Sequence, residues 1–176
     1  YDGKLIGEGQ KLELNNNIKG DVYAELRFKD RFGVDVHAQG DITYPNVTGE
    51  GLVFDAEGPF TLDSVSVYSK ETGIRDFYLY NEAGDSITSS RKFINKTGIN
   101  RIKLNWEVPA GNNYRIVKTS GKPLGMQSGI QSFPIISHDG IVSINTGTDG
   151  NNYHMFYDWR ISYDHPCGRI RYPLNI

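Results

Sequence analysis

The feature that most constrains this chain is a hydrophobic period of two. Val22, Ala24, Leu26 and Phe28 alternate with Tyr23, Glu25 and Arg27. Ile102, Leu104, Trp106 and Val108 alternate with Lys103, Asn105 and Glu107, and Val65 and Val67 stand between Ser64, Ser66 and Tyr68. Further along, Tyr153, Met155, Tyr157, Trp159 and Ile161 oppose His154, Phe156, Asp158 and Arg160. Successive side chains of a strand point to opposite faces, so each run predicts a strand with one face against a core. A helix would space its apolar residues three and four apart, and no segment combines that spacing with length and caps.

Turn chemistry punctuates these runs. Asn15-Asn16-Asn17, Glu57-Gly58-Pro59, Asn81-Glu82-Ala83-Gly84, His138-Asp139-Gly140 and Thr148-Asp149-Gly150 supply the residues that tight turns favour. Residues 76–94 are expected to form a hairpin. Residues 121–132, polar and without a period, are expected to be a long loop. Together these signals predict an all-β fold, an antiparallel β-sandwich of jelly-roll-like form. One domain is expected over 1–176. Residues 1–50 could form an N-terminal extension packed on a 51–165 core, and 166–176 a tail strand or linker.

Charge and composition remove several function classes. The formal net charge is −2, from 19 basic and 21 acidic residues, with no concentrated basic stretch, so no nucleic-acid partner is expected. No apolar run approaches the roughly 18 residues of a membrane-spanning helix. The single cysteine, Cys167, offers neither an internal disulfide nor a zinc site on its own.

The segments Leu52-Val53-Phe54-Asp55-Ala56, Phe60-Thr61-Leu62-Asp63-Ser64-Val65-Ser66-Val67-Tyr68 and Gly73-Ile74-Arg75 occur in that order. They are followed by Leu104-Asn105-Trp106-Glu107-Val108-Pro109-Ala110-Gly111-Asn112-Asn113-Tyr114, by Gly140-Ile141-Val142-Ser143-Ile144, and by residues 153–161. This arrangement resembles a carbohydrate-binding-module-like β-sandwich found as an accessory module in secreted and surface multidomain proteins of Bacteroidetes. The resemblance covers about two-thirds of the chain and carries fold more strongly than function. It implies a secreted or cell-surface location and neighbouring domains in a larger polypeptide.

No catalytic constellation is written locally. There is no G-x-S-x-G motif, and His37, His138, His154 and His165 are scattered. Glu107 and Asp158 each sit beside a tryptophan, but alternation makes exposed strand positions of them. No H-x-H or H-x-x-x-H spacing marks a transition-metal site. Loops rich in Asp, Asn and Gly, notably residues 148–152, are suited to a structural calcium, although no ligand set is defined.

The residue types that bind sugars are present. Aromatic rings offer apolar area to the C–H faces of a sugar, and Arg, Asn and Gln read its hydroxyls. Tyr114 and Arg115 follow an Asn pair, Gln127 lies in the long loop, and Asn152 and Tyr153 adjoin a turn. Phe156, Asp158 and Arg160 make an outward set if the face they share is open, and core packing if a second sheet covers it. Trp106 and Trp159 are in register with core residues. The expected function is a non-catalytic extracellular module that binds a polysaccharide or oligosaccharide and targets an attached enzyme or surface protein to it. The alternatives are a structural or adhesive surface module, and a small jelly-roll polysaccharide lyase or hydrolase.

Overall fold

The computed structural model describes residues 22–25, 27–35, 41–127, 132–150, 152–164 and 171–174, the first and last of these as backbone only. Its strands are β1 (Val22–Glu25), β2 (Arg27–Phe32), β3 (Ile42–Thr43), β4 (Glu50–Ala56), β5 (Phe60–Ser69), β6 (Gly73–Tyr80), β7 (Ser86–Ile94) and β8 (Gly98–Val108). They continue with β9 (Gly111–Gly121), β10 (Met126–Gln127), β11 (Ile135–Ile136), β12 (Val142–Gly147), β13 (Tyr153–His154), β14 (Tyr157–Asp164) and β15 (Arg171–Leu174). A six-stranded sheet in the order β11-β12-β4-β9-β6-β7 packs on a four-stranded sheet, β2-β14-β5-β8. Small sheets β13-β10-β3 and β1-β15 complete the set. The paired strands are antiparallel, and the chain crosses between the two large sheets from β4 to β5, β5 to β6, β7 to β8 and β8 to β9. This is the antiparallel sandwich that the alternation predicts. Among the described residues no helix is long and apolar enough to cross a membrane.

β8 shows how the pattern makes the sheet. Ile102, Leu104, Trp106 and Val108 are buried, while Arg101, Lys103, Asn105 and Glu107 face out. From the six-stranded sheet Leu52, Phe54, Phe77, Leu79, Ile116 and Ile144 meet Leu62, Val65, Trp106, Trp159 and Ile161 of the other. Trp159 is fully buried, edge-on to Phe54 at 5.2 Å, and its indole N–H donates to the Phe156 carbonyl at 2.8 Å. Truncation of such a residue to alanine costs about 3–5 kcal/mol. Trp106 is also core, and its N–H donates to Ser90 Oγ across the edge of the sandwich.

Two segments depart from expectation. Residues 153–159 are buried without a break, so the outward set collapses inward except at Arg160. The backbone explains this. Met155 and Asp158 have φ of 58° and 51°, and Phe156 N–H donates to the His154 carbonyl in a tight turn. Each left-handed residue re-aims the side chains after it and breaks strict alternation. The 121–132 segment is not loop throughout. Met126 and Gln127 form β10, bridging Thr43 and Ile42 on one side and His154 and Tyr153 on the other. A two-residue strand is too short to carry a period. Cys167, residues 1–21 and residues 166–170 lie outside the described residues.

Candidate functional site

The hairpin at 76–94 builds the most promising surface. In β6, Phe77 and Leu79 point into the core, which places Tyr78 and Tyr80 on the outer face of the six-stranded sheet. Their rings are nearly parallel, 12° apart, with centroids separated by 5.7 Å. Tyr80 pairs across the ladder with Arg115 of β9, and Tyr78 with Val117. The Arg115 guanidinium carbon lies 5.8 Å from the Tyr80 ring centroid, a cation–π distance. Tyr80, Arg115, Val117 and Thr119 line a shallow groove of about 210 Å³ together with Gly49 and Gly84.

The position of Gly84 follows from turn chemistry. Asn81 Oδ1 accepts the Asp85 N–H at 2.8 Å, its own N–H donates to the Asp85 carbonyl at 3.0 Å, and Gly84 sits at φ 89°. A side chain there would be strained and would begin 3.6 Å from the Arg115 guanidinium. At the same end of β9, Asn113 donates from its backbone to Asp55 and from its side chain to Glu82, tying the turn to the sheet. Further along the same face, Asp76 is gripped by Arg91 (2.7 and 3.0 Å) and Ser120 (2.5 Å). The Arg91 and Ser120 hydrogen bonds hold the Asp76 carboxyl down at about 2, against the small opposing effect of burial.

The residues singled out from sequence do not converge. Arg115 alone lies in this groove. Tyr114, its neighbour, points the other way, stacked on Phe54 at 5.4 Å with its hydroxyl donating to the Ala110 carbonyl. Tyr153 is buried; its hydroxyl donates to the Phe156 carbonyl at 2.8 Å and accepts from Val34 N–H, and burial pushes its phenol up. Phe156 is buried edge-on to Phe77, 5.8 Å between centroids. Gln127 is buried in β10. Asn152 donates from both its backbone and its side chain to the Asp149 carboxylate.

Asp158 and Arg160 belong to a second cluster on the four-stranded sheet. Buried Asp158 accepts from both Arg31 and Arg101, and Arg160 is exposed beside Arg31 in the β2–β14 register. Burial alone would raise the Asp158 carboxyl, but the two arginines outweigh it and hold the group below its ordinary value. Two guanidinium groups on one carboxylate make this a structural knot first. The depression beside it, about 230 Å³ and lined by Arg31, Phe32, Gly33, Asp35 and Asp158, is floored by that pairing.

Sequence reasoning missed the tyrosine pair. Its signal was nonetheless present, since Asp76-Phe77-Tyr78-Leu79-Tyr80 alternates and puts the two tyrosines on one face opposite Phe77 and Leu79. No family model matches the chain, and comparison with curated proteins and with solved structures found no match.

Proposed function

We propose that this chain is a non-catalytic binding module for a polysaccharide or oligosaccharide, with its site on the outer face of the six-stranded sheet around Tyr78, Tyr80 and Arg115. The observation that carries the proposal is the near-parallel tyrosine pair beside an arginine already ordered against one of the rings. Tyrosine offers rigid apolar area with a polar tip at low entropic cost, and a guanidinium offers planar, paired donors to hydroxyls or a carboxylate. Stacking on Tyr80 pre-organises Arg115, so less freedom is lost when a ligand binds.

Size separates this groove from an enclosing pocket. At about 210 Å³ it falls below the roughly 300–1,000 Å³ of sites that engulf a small molecule. A shallow open surface suits a sugar unit presented by a longer chain. The proposal extends to an extracellular setting, in which the module carries an attached enzyme or surface protein to its polysaccharide.

The test is a glycan array probed with the full chain, followed by titration of any hit with the Tyr78→Ala, Tyr80→Ala and Arg115→Ala variants. Binding by the wild-type chain that weakens in these variants is expected. Failure to bind any glycan removes the proposal, and binding that survives all three substitutions moves the site elsewhere.

A further inference from the structure

His154 is fully buried, yet among the described residues neither ring nitrogen makes a hydrogen bond of regular geometry. Each nitrogen instead lies close to a carboxylate oxygen. Nδ1 is 3.2 Å from Glu50 and Nε2 is 3.0 Å from Asp149. One donor atom from each of the three residues lies within 4.8 Å of the other two. A buried polar group without a well-formed hydrogen bond costs free energy, and the two carboxylates, though close, do not meet the imidazole in hydrogen-bonding geometry.

We infer that Glu50, Asp149 and His154 form a binding site for a single divalent transition ion of the zinc kind, ligated by one imidazole nitrogen and two carboxylates. Ligands about 2.0–2.1 Å from a tetrahedral ion stand about 3.3 Å from one another; whichever nitrogen takes the ion has one carboxylate at about that separation, and the second carboxylate, with a donor atom within 4.8 Å, must close in on binding. Two anionic oxygens and a neutral nitrogen suit a borderline ion, whereas calcium prefers an all-oxygen shell. The loop that sequence composition marked for calcium thus contributes one oxygen donor, Asp149, to a site whose central ligand is nitrogen.

The surroundings fit a built site. Asn152 orients the Asp149 carboxylate by two hydrogen bonds, of 3.0 Å to Oδ1 and 2.6 Å to Oδ2, the kind of outer support that fixes a ligating group. Gly147 keeps the space open, since a Cβ there would meet the Asn152 carbonyl at 1.9 Å and the His154 ring at 2.7 Å. Asp149 is exposed and provides the way in. The ion would clip the start of β4, the β12–β13 turn and β13 together. This inference does not rest on glycan binding.

The experiment is calorimetric titration of the full chain with Zn²⁺, alone and with excess Ca²⁺ as competitor. It is repeated with Asp149→Asn and Glu50→Gln, and with Co²⁺ as a spectroscopic probe. His154→Gln alters the core, so the two carboxylate variants carry the test. About one equivalent of Zn²⁺ should bind, with affinity at least about tenfold lower in each variant and no displacement by Ca²⁺. Co²⁺ should give a visible absorption that each variant diminishes. Absence of saturable Zn²⁺ binding, binding unchanged in both variants, or ready displacement by Ca²⁺ would overturn the assignment.

Discussion

Arg101 of β8 donates to both the carboxylate and the backbone carbonyl of Asp158 on β14, spanning the intervening strand β5. One side chain therefore holds both the charge and the left-handed backbone of Asp158 in place. Asp158→Asn leaves Arg101 and Arg31 facing a neutral amide. Breaking a fully buried pair costs about 3–5 kcal/mol, and the partial exposure of both arginines brings the expectation to about 2–3 kcal/mol. Urea denaturation of the variant measures this loss. A change below about 0.5 kcal/mol, the usual range for surface substitutions, would show the knot to be ornamental.

Acid should unfold the protein partly through Asp76 and Asp158. Both carboxyls titrate below their ordinary value in the fold, Asp76 at about 2. The unfolded chain binds more protons over that window, so stability rises with pH there. Their contribution is fully present above about pH 4 and lost as pH falls through the folded values. The urea midpoint of the wild-type chain is therefore expected to drop between about pH 4 and pH 2. The drop should be shallower in Asp76→Asn and Asp158→Asn, and equal slopes in all three proteins would refute the assignment.

Lys118 is a buried cation with little support. It is fully buried on β9, and among the described residues its ammonium makes one long hydrogen bond, 3.4 Å, to the Gly121 carbonyl. Burial, and then the charge of Arg75, lower its affinity for a proton. Between the folded value and the ordinary lysine value of about 10.4 the unfolded chain binds more protons, so stability rises with pH toward that value. Lys118→Met is expected to stabilise the protein by about 1 kcal/mol at neutral pH and to flatten that rise. Denaturant midpoints from pH 7 to about pH 10 check both parts.

Within the groove, ring and hydroxyl can be separated. Tyr80→Phe keeps the apolar face and the contact with Arg115, whereas Tyr80→Ala removes both. If stacking dominates, the alanine variant should lose about 0.5–1.5 kcal/mol of glycan affinity, roughly 2- to 12-fold, and the phenylalanine variant far less. Equal losses in the two would assign the recognition to the hydroxyl.

β8 was legible from sequence because one of its faces meets the core and the other meets water, so burial and polarity alternate together. Residues 153–159 were not legible, since core and sheet neighbours cover them on both sides and the turns at Met155 and Asp158 reset their direction. Tyr114 and Tyr153 looked like ligand contacts because their neighbours are polar turn residues, yet their rings fill the core. Tyr78 and Tyr80 have the right pattern, but sequence does not distinguish a tyrosine on a bare sheet face from one beneath a loop. Glu50 and His154 are brought together by pairings among β4, β10, β12 and β13, and no local motif records such a meeting.

β14 lies between β2 and β5, and β2 has no other described neighbour in that sheet. The keystone of the sheet is therefore synthesised long after the edge strand that it must capture. Until residue 164 has emerged, β2 lacks its described sheet partner, and the aromatic seam around Trp159 is missing from the interior. Premature stop codons before Tyr157 should therefore yield chains open to proteolysis rather than smaller versions of the same domain.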